Sequence, residues 1–236
     1  MPQSFNFKQL QNSLPKRPKD SHKGNFGKVL ICAGSAGMGG AGILASETSL
    51  FCGSGLVKLT TDKSNVKAAL SRNPEVMTAG INMGNDINVQ IDIKDQDVIL
   101  YGPGIYKTMA TDTIFNEILK NSNNCKLIFD AGALHIMASV PHITKKLDQS
   151  ILMTPHPGEA AILLKKSINE IQKNRTLVAE NISKTYKASI VILKGMETVI
   201  YSAKDNESYI CMDGGPELAT GGTGDILAGL LSALLA

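Results

Sequence analysis

Near its C-terminal end the chain reads ATGGTGDILAGLL, residues 219–231. Gly221, Gly222 and Gly224 crowd around Thr223 ahead of Asp225, and the sequence then turns apolar. A helix starting here presents backbone N–H groups with no intrahelical partner and about half a positive elementary charge from its dipole. Glycine permits close approach and positive φ, so the stretch suits a phosphate. Capping by Thr223 or Asp225 is the plain alternative, but a cap uses one side chain and leaves the glycines unexplained. A carboxylate beside a bound phosphate is unfavourable unless it reacts. The reaction open to Asp225 is to take a proton from a hydroxyl that attacks phosphorus.

Other stretches offer related chemistry. In GSAGMGGAG (34–42), Gly37, Gly39 and Gly42 match the dinucleotide fingerprint GxGxxG, with Asp62 twenty residues further on. Gly37 comes three residues after Gly34, too late for the tight turn, so the loop is wide. Ligand contact and plain packing both fit it. GPGIYKT (102–108) has Tyr106 where a P-loop requires glycine. In TPHPGEA (154–160), Pro157 and Glu159 are ordinary for a helix start. A histidine held between Pro155 and Pro157 can also hydrogen-bond a ligand or stack on its ring. Lys194, in LKGMET (193–198), and Asp130, in FDAG (129–132), end apolar runs. Their plain readings are a solvated strand-end lysine and a helix cap.

These residues converge only if strands deliver them to one edge. KVLICAG (28–34), GLVKLTT (55–61), DVILYGPG (97–104), KLIFDAG (126–132) and ILMTPHPGE (151–159) read as strands running into turns. SIVILKG (189–195) and ETVIYS (197–202) read as a hairpin, and SYICMDGG (208–215) as one more strand. Helices are predicted at 41–52, at 64–72, near 108–120, and from a Ser167/Glu170 capping box to about 187. The alternation predicts an α/β fold with a mostly parallel sheet and helices on both faces. Ligands then lie beyond the carboxyl ends of the strands. Gly34, Gly102, Asp130, Thr154 and Lys194 should share that rim. Residues 1–24 read as an irregular basic lead-in and 25–236 as one domain.

The 236 residues are 43% hydrophobic and 19% charged with 22 glycines, which suits a glycine-looped enzyme. A net charge of +3 is too small to indicate nucleic acid. The basic excess at Lys16, Arg17, Lys19, Lys23 and Lys28 reads as a solvated segment. Cys32, Cys52, Cys125 and Cys211 form no CxxC pair, and Cys32 and Cys52 are expected as reduced core thiols. No histidine spacing suggests a metal site. No apolar run reaches the roughly 18 residues of a membrane span, and a cytoplasmic protein is expected.

KGNFGKVLICAGSAGMGGAGILA (23–45), GPG (102–104), TPHPGE (154–159), KGMET (194–198) and ATGGTGDILAGLL together resemble the NAD(P)H-hydrate dehydratases of the ribokinase-like superfamily. The resemblance implies a three-layer α/β/α sandwich with a central, mostly parallel sheet and no separate lid. It implies that the C6 hydroxyl of hydrated NADH or NADPH is phosphorylated from ADP or ATP, and that phosphate is then eliminated. By position, Asp225 would be the base, and Gly222, Thr223 and Gly224 the anion hole. Ala41, Gly104, His156 and Asp225 would contact the substrate. Lys194, Gly195, Met196, Glu197, Thr198 and Gly224 would line the nucleotide site, with Mg²⁺ accompanying the nucleotide. TPHPGE resembles the bacterial, ADP-using branch. A homo-oligomer, often a tetramer, is implied, as is a separate NAD(P)H-hydrate epimerase, because the domain often fused upstream is not in these residues.

The chain departs from the family pattern in places. DAGAL (130–134) has Gly132 where relatives commonly carry an acid, and DGGPELA (213–219) lacks the usual asparagine-rich form. The sequence stops inside an apolar helix where relatives continue, so a shortened C-terminus is expected. Rival functions stay open. They are a ribokinase-like kinase for a vitamin-precursor alcohol, an NAD-binding oxidoreductase built on GMGGAG and Asp62, and a nucleotide sensor without turnover.

Overall fold

The structure, a computed structural model, describes residues 2–11, 13, 16–86, 88–140 and 150–236. Its strands are β1 (Gln3–Phe5), β2 (Lys28–Cys32), β3 (Leu56–Asp62), β4 (Met77–Ile81), β5 (Val98–Tyr101), β6 (Lys126–Phe129), β7 (Ile151–Met153), β8 (Ile190–Leu193), β9 (Thr198–Ser202) and β10 (Glu207–Cys211). Its helices are α1 (Phe7–Leu10), α2 (Gly39–Phe51), α3 (Val66–Arg72), α4 (Met109–Asn121), α5 (Gly132–Ser139), α6 (Pro157–Leu164), α7 (Ile168–Lys173), α8 (Arg175–Tyr186) and α9 (Thr223–Leu235).

All the strands join one sheet in the order β1-β10-β9-β8-β7-β6-β5-β2-β3-β4. Neighbours are parallel except where β9 meets β8 and β10. Side chains alternate between the faces of each strand. Val29, Ile31 and Ala33 enter one apolar cluster with residues of α2, α3 and α9. Leu30 and Cys32 enter the other, with residues of α4 to α8. The product is the expected three-layer sandwich. Chain order reverses between β2 and β5, and at such a switch point the loops diverge and leave a crevice for a ligand.

Several expectations change. Residues 1–24 are not irregular throughout. Gln3–Phe5 pair in parallel with Tyr209–Cys211 and cover an edge of β10 whose backbone groups would otherwise lack partners. The stretch 167–187 is two helices. Asn174 takes φ −150°, ends α7, and caps α8 by accepting from Leu177 N at 3.1 Å. The predicted Ser167/Glu170 capping box is present at the start of α7. Strand β4 and helix α5 are elements that the sequence pattern does not predict. Cys52 is exposed, not a core thiol, because it follows the last turn of α2. Cys32 is buried, and burial pushes its thiol up to about 12. Among the described residues no helix is long and apolar enough to cross a membrane.

Helices α2 and α9 lie unusually close because small residues meet between them. A Cβ on Gly229 would fall 2.3 Å from the Ala45 carbonyl oxygen. Alanine usually gains about 1 kcal/mol over glycine inside a helix, but here it would push α9 away from α2. Gly229→Ala is expected to destabilise the protein by about 1–3 kcal/mol, read as a lower urea midpoint at unchanged slope.

Candidate active site

The loops after β2 and β5 are tied across the switch point. Gly34 N donates to Pro103 O at 2.9 Å and Ser35 N to Gly104 O at 2.8 Å. Gly104 has φ +62°, and a Cβ there would lie 2.8 Å from both Ala41 Cβ and Met38 O. The two glycine loops therefore need this glycine to approach. Ala41 and Gly104, expected to contact one ligand, are brought together.

The next strand ends deliver a buried charge cluster. Asp130 follows β6, Thr154 follows β7, and Lys194 follows β8. Asp130 Oδ1 accepts from Thr154 Oγ1 and from Lys194 Nζ, each at 2.7 Å. Asp130 is 2% exposed, so this ion pair is largely removed from water. Glu159, in the first turn of α6 and also buried, brings Oε2 to 3.9 Å from Lys194 Nζ. The carboxyl groups of Asp130 and Glu159 thus both approach one ammonium, and Asp225 lies near enough to feel the charges of Asp130 and Lys194. Burial raises the Glu159 carboxyl above its usual range and the Asp130 charge adds to this, while Lys194 opposes both. Burial likewise raises Asp225, again with Asp130 adding and Lys194 opposing.

The glycine stretch at α9 differs from the capped helix starts of the fold, and it shares the lack of a side-chain cap with α1, α2, α3 and α5. Thr108, His156, Ser167 and Asn174 each accept a backbone N–H at the starts of α4, α6, α7 and α8. No side chain caps α9. Its N-cap, Gly222, has φ +92°, and a Cβ there would meet Leu44 Cδ1 at 2.8 Å. Thr223 Oγ1 turns back to donate to Thr220 O at 3.1 Å. The backbone amides of Gly222, Thr223 and Gly224 are thus left without side-chain acceptors. A Cβ on Gly224 would sit 3.6 Å from Lys194 Nζ, which puts the ammonium beside these amides.

The remaining expectations meet mixed outcomes. His156 caps α6: its Nδ1 accepts from Gly158 N at 2.9 Å and Glu159 N at 3.3 Å, and more than half of the side chain stays exposed. Lys194 turns inward and is not a solvated strand-end residue. Met196, at the tip of the β8–β9 turn, is exposed, and Thr198 Oγ1 donates to Gly195 O at 2.9 Å. Asp62 faces the fold interior, where it accepts from Ser64 N, Ser64 Oγ and Met83 N. That arrangement disfavours a ribose-binding role. Gly132 has a local reason: a Cβ there would fall 2.2 Å from Ile105 O. Glu159 is more than helix-start chemistry, since it makes a buried contact with Lys194 that its spacing does not announce. Arg175 carries one signal in the sequence, a cation at the positive end of a helix.

Two outcomes follow from this electrostatics. Asp130→Ala leaves Lys194 buried without its partner and is expected to destabilise the protein by about 3–5 kcal/mol in urea unfolding, more than Asp130→Asn. For Asp225, the folded carboxyl holds its proton to higher pH than the unfolded one, so stability falls as pH rises through that interval. The stability of Asp225→Asn relative to the natural protein should therefore increase as pH rises from about 4, measured as the difference in Tm across a pH series.

The sequence model of the NAD(P)H-hydrate dehydratase family matches residues 29–236. The chain is 35% identical over 225 residues to a bifunctional NAD(P)H-hydrate repair enzyme of Coxiella burnetii, covering 94% of this chain and 44% of that protein. It thus spans less than half the length of that relative. It is 36% identical to an ADP-dependent (S)-NAD(P)H-hydrate dehydratase of Listeria monocytogenes, covering 94% of this chain and 76% of that protein. The crystal structure of an ADP/ATP-dependent NAD(P)H-hydrate dehydratase from Bacillus subtilis, co-crystallised with ATP and Mg²⁺, superposes with a TM-score of 0.85. Identity there is 29%, over 97% of this chain and 79% of that one. With its three-layer sheet, its paired glycine loops and its uncapped α9, the chain belongs to the NAD(P)H-hydrate dehydratase family, on a ribokinase-like fold.

Proposed function

We propose that the chain restores NADH and NADPH from their (S)-hydrates, using ADP or ATP as phosphoryl donor. The observation that carries this reading is the uncapped glycine start of α9 with a half-buried carboxylate in its first turn. Family membership supports it. Asp225 takes the proton of the C6 hydroxyl while that oxygen attacks the terminal phosphorus of the nucleotide. The bridging P–O bond breaks, releasing AMP from ADP or ADP from ATP. The amides of Gly222, Thr223 and Gly224 hold the phosphoryl oxygens as negative charge moves. The C6–O bond then breaks: the ring nitrogen lone pair expels phosphate, a far better leaving group than hydroxide, and C5 gives up a proton.

Ala41, Gly104 and the exposed part of His156 would receive the hydrated dinucleotide at the switch point. Lys194 to Thr198, with Gly224, would receive the nucleotide. Among the described residues no group of three or more His, Cys, Asp or Glu is placed to hold a metal ion. Asp130 and Glu159 already face Lys194. These residues do not fit a Mg²⁺ held by protein alone. Mg²⁺ prefers phosphate oxygens with few protein ligands, so we assign it to the bound nucleotide, and no step above depends on it. The reading also includes a single cytoplasmic domain over 25–236, working as a homo-oligomer alongside an NAD(P)H-hydrate epimerase.

Hydrated NADH incubated with the protein and ADP should regain the reduced-nicotinamide absorbance band. Nucleotide consumption with a flat band would mean a kinase, and neither change would mean a binding protein. Asp225→Asn is expected to lower kcat by at least about 10²-fold, with ADP still bound. Activity needs the ionised carboxylate, so kcat should fall as pH drops. Because the Asp225 carboxyl is raised, that acid limb should lie above the usual carboxylate range near about 4.

A further inference from the structure

Arg175 opens α8 immediately after its Asn174 cap. A guanidinium there faces the positive end of the helix dipole, and no acid stands in the first turn to offset it. Its place is explained by what it reaches. Nη2 donates to Leu193 O at 2.9 Å and Lys194 O at 3.1 Å. Nη1 donates to Glu197 O at 3.2 Å and also to Met196 O. Four carbonyl groups of the β8–β9 turn therefore converge on one planar side chain. The turn requires such a clamp. Gly195 has φ +135° and Glu197, which is not glycine, has φ +55°, and conformations of this kind persist only where the surroundings impose them. Gly195 also leaves the space: a Cβ there would lie 3.1 Å from Arg175 Nη2.

We propose that Arg175 is the positioning residue of the nucleotide loop, holding Lys194–Thr198 in the shape that receives ADP or ATP without touching the reacting atoms. The proposal rests on the nucleotide reading of that turn. Fixing the Lys194 carbonyl also fixes where its side chain departs towards Asp130. Lysine cannot replace the fork, because an ammonium is a point charge that cannot reach four carbonyls in one plane.

The test compares the natural chain with Arg175→Met and Arg175→Lys, using ADP titration calorimetry and turnover of hydrated NADH. Arg175→Met should weaken ADP binding and raise the ADP KM by about 10-fold or more, with Arg175→Lys between it and the natural chain. The KM for the hydrate should stay within about 3-fold. A general loosening of the fold would move both KM values together, so that result overturns the proposal. Unchanged ADP affinity in a folded Arg175→Met protein overturns it too. Failure of both variants to fold would make Arg175 a framework residue and overturn it equally. Absence of binding of both ADP and ATP by the natural chain would sink this proposal and the proposed function together, whereas binding by the natural chain with unaltered variants removes only the role of Arg175.

Discussion

The site depends on one buried ion pair, between Asp130 and Lys194. Two charges withdrawn from water are tolerated only with close contact and further hydrogen bonds. Here the contact is 2.7 Å, and Thr154 supplies a second donor to the same carboxylate oxygen. The three residues stand at the ends of β6, β7 and β8, which are consecutive neighbours in the sheet. Parallel pairing places those ends on one edge, so the pair ties the register of three strands to the shape of the rim. A shift of the β6 or β8 end would strand a charge, and a shift of the β7 end would cost the carboxylate a hydrogen bond.

The pair does not balance the cluster. Glu159 also faces Lys194, and the Glu159 and Asp225 carboxyls are both raised, burial being the larger cause. A phosphoryl group arriving at the α9 amides would bring more negative charge beside Asp225 and raise it further. That increases its affinity for a proton at the moment when a hydroxyl must lose one. The ammonium, close to Gly224, would counter the same anion. On the proposed function, the acid excess, unfavourable for stability, would favour proton transfer once a nucleotide is bound.

Much of this was legible in the sequence, because the features that carry it are local. Glycine clustering marks close backbone approach, and strand-end residues mark the rim once parallel pairing is inferred. The misses share another character. β4 reads MTAGI, with a glycine and only partial burial, and offers no alternation to find. α5 starts from Ala131 at φ +44°, a conformation no local signal announces in alanine. The break at Asn174 looks like a helix-compatible polar residue until its side chain is seen to cap the next helix. The inward turn of Lys194 and the burial of Glu159 arise from contacts with residues far away in the chain, which spacing alone does not encode.

The starts of α6 and α9 differ in how their amides are satisfied. At α6 a histidine ring closes the amides, and Glu159 answers with its own carboxylate on the His156 N–H at 2.7 Å. That end is satisfied from within and has no donors left for an anion. Its proline and acid are the ordinary helix-start chemistry that the sequence suggests. At α9 the same positions carry glycines, a threonine whose hydroxyl turns back to Thr220, and an aspartate that does not cap. Leaving those amides uncapped forgoes about 1 kcal/mol of capping stability, which an anion bound there would offset by supplying the missing acceptors.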